Sequence, residues 1–255
     1  MKALILSAGQ GSRLLPLTES RPKCLLPLET QSLIEWQIQE LTRCGVNEIV
    51  VVVGFRAAAV EEMLAGLCRP GLSIRTIFNP FFNVADNLGS CWLARHEMNR
   101  DFVILNGDTV FEAAILQRLL NSPPAPVTVT IDHKARYDSD DMKVVLDGTR
   151  LVEIGKTLPL DAVDGESIGM LLFRGDGPRL FAEALDQAMR TPEGLKWWYL
   201  KVIGLLAQGG HVNTVSIEGL EWGEVDYPAD LGRAQEMVAR WIADNSTRPA
   251  VASGR

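Results

Sequence analysis

The sequence predicts an α/β fold, a doubly wound and mostly parallel sheet with a small antiparallel lobe. Through the first 120 residues, short apolar runs of strand length alternate with amphipathic helical segments, the order typical of a parallel sheet covered by helices. From about residue 121 several strands follow one another with turn residues between them, as in antiparallel pairs. The chain has 255 residues, 47% of them hydrophobic, which suits one large domain.

The first half of the chain repeats a strand–helix unit. Ala3 to Leu6 is apolar on both faces, which is typical of a central parallel strand. The next helix has apolar residues at helical spacing and stops at Gly45, a suitable C-terminal cap. The predicted elements are strands at 3–6, 48–53, 73–78 and 102–105, and helices at 33–44, 57–67 and 88–98.

The sequence of the second half predicts three short strands, then two helices, a further strand and a last helix. Asp147-Gly148 lies between the second and third of these strands and indicates a hairpin. A polar, small-residue tail at 244–255 is expected to fray. The predicted elements are strands at 127–132, 143–146, 151–154 and 212–217, and helices at 179–189, 197–208 and about 228–243. We therefore expect a single domain over 1–243, with halves at about 1–120 and 121–243.

Charge and hydropathy exclude two classes of partner. The net charge is −7, from 25 basic and 32 acidic residues, which argues against a broad nucleic-acid surface. No apolar run reaches membrane-spanning length, so we expect no membrane insertion. Because the chain begins at once with a core strand, a cytoplasmic location is expected. The sequence leaves the oligomeric state open.

The loop after the first strand carries glycines and two fixed cations. Gly9 and Gly11 let backbone amides, including that of Ser12, approach phosphate oxygens closely. Arg13 stands beside the loop, and Lys23 follows a proline that stiffens the backbone. The two glycines alone indicate an ordinary strand-to-helix turn more than a phosphate loop, but the whole set predicts a nucleoside triphosphate site.

Two aspartates follow apolar strands later in the chain. Open α/β sheets bind ligands beyond the carboxyl ends of their strands, which would bring Asp108 to the crevice of the glycine loop. Capping of a helix from about Phe111 is the alternative for Asp108. Asp226 ends a second acidic segment, and two carboxylates in one crevice repel each other unless a cation lies between them. The pair therefore predicts a Mg²⁺ site.

Residues 7–18 and 22–28 resemble the signature of the nucleotidyltransferases that make nucleotide-activated sugars and alcohols. The resemblance implies a Rossmann-like sheet of the nucleotidyltransferase type, with a nucleotide half at about 1–120 and an acceptor half at about 121–243. It also implies that Asp108 and Asp226 hold Mg²⁺ over the triphosphate. Lys23 would then neutralise charge at the α-phosphorus, and Arg13 would bind the leaving pyrophosphate.

Three further segments resemble the bacterial choline-phosphate cytidylyltransferases, at 79 with 86–90, at 141–144 with 155–156, and at 165–169. This resemblance implies CTP as donor and a small phosphorylated or phosphonylated alcohol, such as phosphocholine, as acceptor. It implies cytosine contacts from Asn87 and Ser90 and from the backbone around Leu6, Ala8 and Gly54. Gly89 departs from the pattern, since these relatives usually carry a bulky residue there, and it leaves base and acceptor preference open.

Three residues are candidates for binding the acceptor. Lys156 follows a strand end, where it would pair with the acceptor's phosphate. Glu166 is suited to orienting a hydroxyl or an ammonium group, and equally to capping a turn. Trp197 would hold a quaternary ammonium by cation–π attraction. At most one or two of residues 197–199 can line one pocket, and at least one of the two tryptophans is expected to pack in the core. Lys143 alternates with apolar neighbours along its strand, so a role in the site and a position on the solvent face are equally consistent with the sequence.

Two other functions share most of these residues. A sugar-1-phosphate nucleotidyltransferase making a UDP-, dTDP- or GDP-sugar would have the same glycine loop and the same acids. A catalytically silent protein that binds nucleotide to regulate a partner is the second alternative. The presence of Arg13, Lys23, Asp108 and Asp226 together favours an active enzyme.

Overall fold

The computed structural model describes residues 1–247, which form an α/β fold with thirteen strands and seven helices in that range. The strands are β1 (Lys2–Ser7), β2 (Pro27–Leu28), β3 (Gln31–Ser32), β4 (Glu48–Val53), β5 (Ser73–Phe78), β6 (Phe102–Asn106), β7 (Thr109–Phe111), β8 (Val127–Asp132), β9 (Lys143–Asp147), β10 (Arg150–Gly155), β11 (Gly165–Phe173), β12 (Val212–Ser216) and β13 (Trp222–Glu224). The helices are α1 (Leu33–Arg43), α2 (Ala57–Leu67), α3 (Asn87–Leu93), α4 (Ala113–Leu120), α5 (Gly177–Met189), α6 (Tyr199–Gln208) and α7 (Pro228–Thr247).

Nine strands form one mixed sheet in the order β5-β4-β1-β6-β11-β8-β12-β10-β9. The first four are parallel, with Leu4 of β1 opposite Val50 of β4 and Ile104 of β6. β11 runs antiparallel between β6 and β8, and β10 and β9 complete the far edge as an antiparallel pair. The predicted antiparallel strands therefore extend the parallel sheet, and the Asp147-Gly148 hairpin is confirmed.

Helices cover both faces of the sheet, because successive residues of the buried strands point to opposite sides. Leu4 packs into a cluster with residues of α3, α5 and α6, whereas Ile5 packs on the other face with residues of α1, α2 and α4. α7 lies outside these layers, where the Trp241 ring stacks on Trp36 with centroids 5.7 Å apart. The doubly wound prediction is confirmed.

Some element boundaries differ from the sequence prediction. β11 was not predicted, because its nine residues are all buried and do not alternate between polar and apolar, so the period-two signal of a half-buried strand is absent. α3 ends at Leu93, short of the predicted Met98, and a short 3₁₀ turn follows it. α7 continues through Thr247, beyond the predicted end at Ala243, and the rest of the predicted tail lies outside the described residues. In the described part of the chain, no helix combines the length and hydrophobicity needed to span a bilayer.

Candidate active site

The glycine loop is built so that Lys23 crosses it at close range. Gly11 has a φ of 75°, in the left-handed region that favours glycine, and a Cβ there would lie 3.0 Å from Lys23 Cδ. The Thr18 hydroxyl donates to Gly11 O at 2.8 Å and fixes the returning chain. Gly9 does not need to be glycine for packing, since a Cβ there would meet nothing within 4 Å. The loop therefore places the Lys23 ammonium beside the end of β1.

Close contact between β1 and β6 places Asp108. Gly107 N donates to Leu6 O at 3.0 Å, and a Cβ on Gly107 would lie 2.5 Å from that oxygen. β7 follows directly and pairs with β13, and Val225 N donates to Asp108 O at 3.1 Å. This pairing brings Asp226 alongside Asp108. The alternative role of Asp108 as a helix cap is wrong, because α4 begins only at Ala113.

The four predicted catalytic side chains meet at this point. Lys23 Nζ lies 2.9 Å from Asp108 Oδ2 and 2.6 Å from Asp226 Oδ1, and Arg13 Nη2 lies 2.7 Å from Asp226 Oδ2. Burial disfavours the charged form of Lys23, but the two carboxylates outweigh it and raise its pKa. Burial likewise opposes ionisation of Asp226, yet Lys23 and Arg13 hold its pKa below the usual range. The site is therefore a network of alternating charges.

The two aspartates fit a hard divalent cation. Asp108 Oδ1 is buried and has no hydrogen-bond partner, so one oxygen of this carboxylate lacks a donor. No group of three or more metal-type side chains occurs among residues 1–247. Mg²⁺ usually takes one or two carboxylates and completes its octahedron with substrate phosphates and water. Asp108 and Asp226 would supply that protein share.

A cavity of about 390 Å³, here called the loop cavity, opens over these residues. Its size suits a small-molecule ligand. Of the residues predicted to bind nucleotide, those that line the loop cavity are Leu6, Gly9, Gly11, Ser12, Arg13, Lys23 and Asn87.

Three predicted nucleotide contacts lie behind the loop cavity. Ala8 and Gly54 are buried at the ends of β1 and β4, where Ala8 O accepts a hydrogen bond from Phe55 N at 2.9 Å. Ser90 is also buried, and its hydroxyl accepts from Asn79 Nδ2 at 3.0 Å. Ser90 therefore does not line the loop cavity, because α3 turns its side chain toward Asn79. Its contact with the base stays a prediction.

A second cavity of about 150 Å³, here called the inner cavity, adjoins the loop cavity and shares Arg13, Asp108 and Asp226 with it. Lys156 and Glu166, two of the three residues predicted to bind the acceptor, line the inner cavity. Trp197 does not, since it packs against the core beside α6. Trp198 lines both cavities instead.

Trp198 takes the position predicted for Trp197 because both precede α6 in extended conformation, so their side chains point to opposite sides. The Trp198 ring lies 4.5 Å from Lys156 Nζ, measured to the ring centroid, and 41% of the residue is exposed. Asn87 supports this segment, since its Oδ1 accepts from Tyr199 N at 2.9 Å.

Lys143 is a buried anchor and does not mark a solvent-facing position. Only 2% of the residue is exposed, and its ammonium donates to the backbone oxygens of Asp138, Asp141 and Lys156, the last at 2.8 Å. A lysine at this position therefore ties the loop before β9 to the end of β10, and so positions Lys156.

Glu166 lies at the floor of the inner cavity, with 4% of the residue exposed. Burial raises the pKa of this carboxyl to about 7, against the opposing charge of Lys134, whose Nζ lies 3.0 Å away. The neighbouring Asp141 adds negative charge and acts in the same direction as burial. Near neutral pH both the protonated and the charged form of Glu166 are therefore expected.

Three residues at the site were missing from the sequence prediction. Trp198 belongs to the aromatic segment at 197–199, of which only Trp197 was predicted to bind the acceptor. Glu224 lines the inner cavity, and enclosure together with the charges of Asp108 and Asp226 raises its pKa; its spacing two residues before Asp226 was the available signal. Asp140 contacts Arg13 and Lys156 from a loop, and no local pattern marks it.

Comparison with known proteins agrees with this geometry. The model of the MobA-like NTP transferase domain matches residues 3–195. The chain belongs to this family. The matched range includes the glycine loop, Asp108 and the inner cavity up to β11, whereas Asp226 lies beyond it.

Two relatives of known function are similar along nearly all of this chain. The CMP-5'-(3-aminopropyl)phosphonate synthase of Streptomyces rubellomurinus is 32% identical over 240 residues, 92% of this chain and 38% of that protein. The bifunctional IPC transferase and DIPP synthase of Rubrobacter xylanophilus is 34% identical over 251 residues, 97% of this chain and 54% of that protein. The chain thus spans about half or less of the length of these two relatives.

The fold is also that of solved nucleotidyltransferases. The CTP:phosphocholine cytidylyltransferase of Streptococcus pneumoniae superposes with a TM-score of 0.73 at 22% identity, covering 93% of this chain and 98% of that one. The choline-phosphate cytidylyltransferase of the same organism is also similar in sequence, at 35% identity over 104 residues, 41% of this chain and 43% of that protein. Sequence and fold together confirm the predicted resemblance to choline-phosphate cytidylyltransferases.

Proposed function

We propose that the protein transfers a CMP group from CTP to a small phosphorylated or phosphonylated alcohol, giving a CDP-linked or CMP-linked product and pyrophosphate. The meeting of Arg13, Lys23, Asp108 and Asp226 in the loop cavity carries this proposal. Two cations and two carboxylates at the end of a parallel strand match the needs of a magnesium triphosphate.

The acceptor needs alignment more than activation. A phosphate or phosphonate oxygen is already anionic at neutral pH, so it attacks the α-phosphorus without a general base. A new P–O bond forms as the bond from the α-phosphorus to the bridging oxygen breaks, and the electron pair leaves with pyrophosphate. Lys23 stabilises charge at the α-phosphorus, and Arg13 binds the leaving group. Mg²⁺ held by Asp108 and Asp226 would neutralise phosphate charge.

The two cavities divide the substrates between them. The triphosphate lies in the loop cavity, and the acceptor enters the inner cavity with its phosphate toward Lys156. Glu166 and Trp198 then contact the organic part of the acceptor. The preference for CTP is supported by relatives named for CMP and CTP chemistry, a phosphonate synthase and a phosphocholine cytidylyltransferase.

A substrate panel tests the function. The purified protein with Mg²⁺ is incubated with CTP, UTP, dTTP, GTP or ATP against phosphocholine, phosphoethanolamine, aminoethylphosphonate, inositol phosphate and hexose-1-phosphates, and pyrophosphate release is measured. We expect the fastest release with CTP and a non-sugar acceptor, and a loss of at least about 100-fold in Asp226→Asn. Preference for a hexose-1-phosphate would contradict the proposed acceptor, and no release from any pair would contradict catalysis.

A further inference from the structure

The carboxylate of Asp140, which was not among the predicted site residues, forms ion pairs with both Arg13 and Lys156. Asp140 Oδ2 accepts from Arg13 Nη1 at 3.0 Å and from the Tyr227 hydroxyl at 3.3 Å, and Asp140 Oδ1 lies 3.4 Å from Lys156 Nζ. Arg13 follows β1, Lys156 follows β10 and Tyr227 precedes α7. Three distant parts of the chain therefore converge on a single anion.

The Asp140 carboxylate occupies the position that substrate phosphates would occupy. Under the proposed function, Arg13 binds the pyrophosphate portion of the nucleotide and Lys156 binds the phosphate of the acceptor. Carboxylate and phosphate oxygens satisfy the same donors with the same geometry. Asp140 lines the inner cavity between these two cations, so it cannot keep both contacts once phosphates occupy them.

The Asp140 side chain is free to leave while its backbone stays in place. Asp138 Oδ1 accepts from Asp140 N at 2.8 Å and from Asp141 N at 3.2 Å, and Lys143 holds the same loop from beneath. In contrast, 52% of the Asp140 side chain is exposed. A change of its side-chain rotamer therefore releases Arg13 and Lys156 without unfolding the loop.

We propose that Asp140 is a positioning residue that substitutes for substrate phosphate in the free protein, so that binding of either substrate releases the cation used by the other. This inference rests on the proposed function. It predicts that nucleotide and acceptor strengthen each other's binding.

The expected coupling between the two substrates follows from the solvent exposure of the ion pairs that Asp140 makes with Arg13 and Lys156. A ligand that binds only the released form loses apparent affinity in proportion to the fraction of protein still engaged by Asp140. The first ligand removes that loss for the second, and the effect is reciprocal. Because the ion pairs are exposed, each is weak, and two of them give a coupling of about three- to tenfold.

The experiment measures binding of two probes by calorimetry in the presence of Mg²⁺. The donor probe is the α,β-methylene analogue of CTP, which has no P–O bond to break between its α and β phosphorus atoms. The acceptor probe is phosphocholine, replaced by the panel member with the fastest turnover if that is another. Each Kd is measured alone and with the other probe saturating, for wild type, Asp140→Asn and Glu236→Gln.

Glu236→Gln is the matched control, because Glu236 of α7 lines one cavity together with Asp140 and the variant removes one negative charge from it. For Asp140→Asn we expect a Kd about three- to tenfold lower for each probe alone, and a coupling at least threefold smaller than in wild type. In turnover, KM for both substrates should fall while kcat stays within about twofold. Glu236→Gln should keep the wild-type coupling. Asp140→Ser serves as a second variant if Asp140→Asn folds poorly.

Two results would overturn the inference. A Kd that rises in Asp140→Asn would show that Asp140 binds substrate directly. A coupling unchanged from wild type, in a protein that turns over normally, would refute the role of Asp140 alone. Absence of turnover in wild type with every pair of the panel would instead refute the proposed function, and this inference with it.

Discussion

Removal of the Lys23 ammonium is expected to affect stability and activity together. Lys23 is the only cation within 3 Å of both Asp108 and Asp226 in the described residues, and 13% of its side chain is exposed. In Lys23→Met the two carboxylates repel each other in a partly enclosed site. Loss of one partner from a fully buried pair costs about 3–5 kcal/mol. Because both carboxylates are partly exposed, we expect about 2–3 kcal/mol here.

This loss corresponds to a fall in Tm of about 5–10 °C for a chain of this size. Calorimetry in the absence of divalent ions measures it, and 10 mM Mg²⁺ should restore more of the Tm in Lys23→Met than it adds in wild type. Pyrophosphate release should fall by about 10²–10³-fold, the usual effect of removing one charge-stabilising group. Lys196→Met, which removes an exposed lysine bonded to Val84 O, is the control. Activity within threefold of wild type in Lys23→Met would refute the role of Lys23.

Three further predictions test neighbouring groups. Arg13→Lys keeps the charge but loses the planar fork, so kcat/KM for pyrophosphate release should fall by about 10–100-fold, and full turnover would contradict the assignment. Because the pKa of Glu166 is raised to about 7 in the folded protein, its stabilising protonation is present below about pH 4.5 and is lost as pH rises through 7. The Tm of wild type should therefore fall relative to Glu166→Gln between pH 5 and 8, by the equivalent of up to about 3 kcal/mol, whereas parallel pH profiles would show that Glu166 does not titrate there. Lys143→Met leaves buried carbonyl oxygens without a donor and should lower the free energy of unfolding in urea by about 2–4 kcal/mol, whereas Lys201→Met should not.

The sequence predicted the elements whose signals are local. The strand at Glu48–Val53 and the helix at Ala57–Leu67 were predicted to the residue, because apolar spacing and neighbouring glycines bound them. β11 was missed because its apolar residues surround Glu166, Ser167 and Gly169, and only pairing with β6 and β8 makes this segment a strand.

The candidate site was predictable where a motif carries the geometry. Arg13 and Lys23 belong to one continuous loop, and the resemblance supplied Asp108 and Asp226. Asp140 was not predictable, because its position depends on the path of a loop between β8 and β9. Trp197 and Ser90 were predicted at the site but line neither cavity, since the direction of a side chain depends on where a helix begins and how it packs.

Binding of Mn²⁺ in place of Mg²⁺, followed by electron paramagnetic resonance, tests the central claim most directly. The claim is that Asp108 and Asp226 hold a divalent ion together with the nucleotide phosphates. With the α,β-methylene analogue of CTP present, we expect one Mn²⁺ bound per chain in wild type, and a Kd at least about tenfold higher in Asp108→Asn and in Asp226→Asn. Equal Mn²⁺ affinity in wild type and both variants would contradict the account.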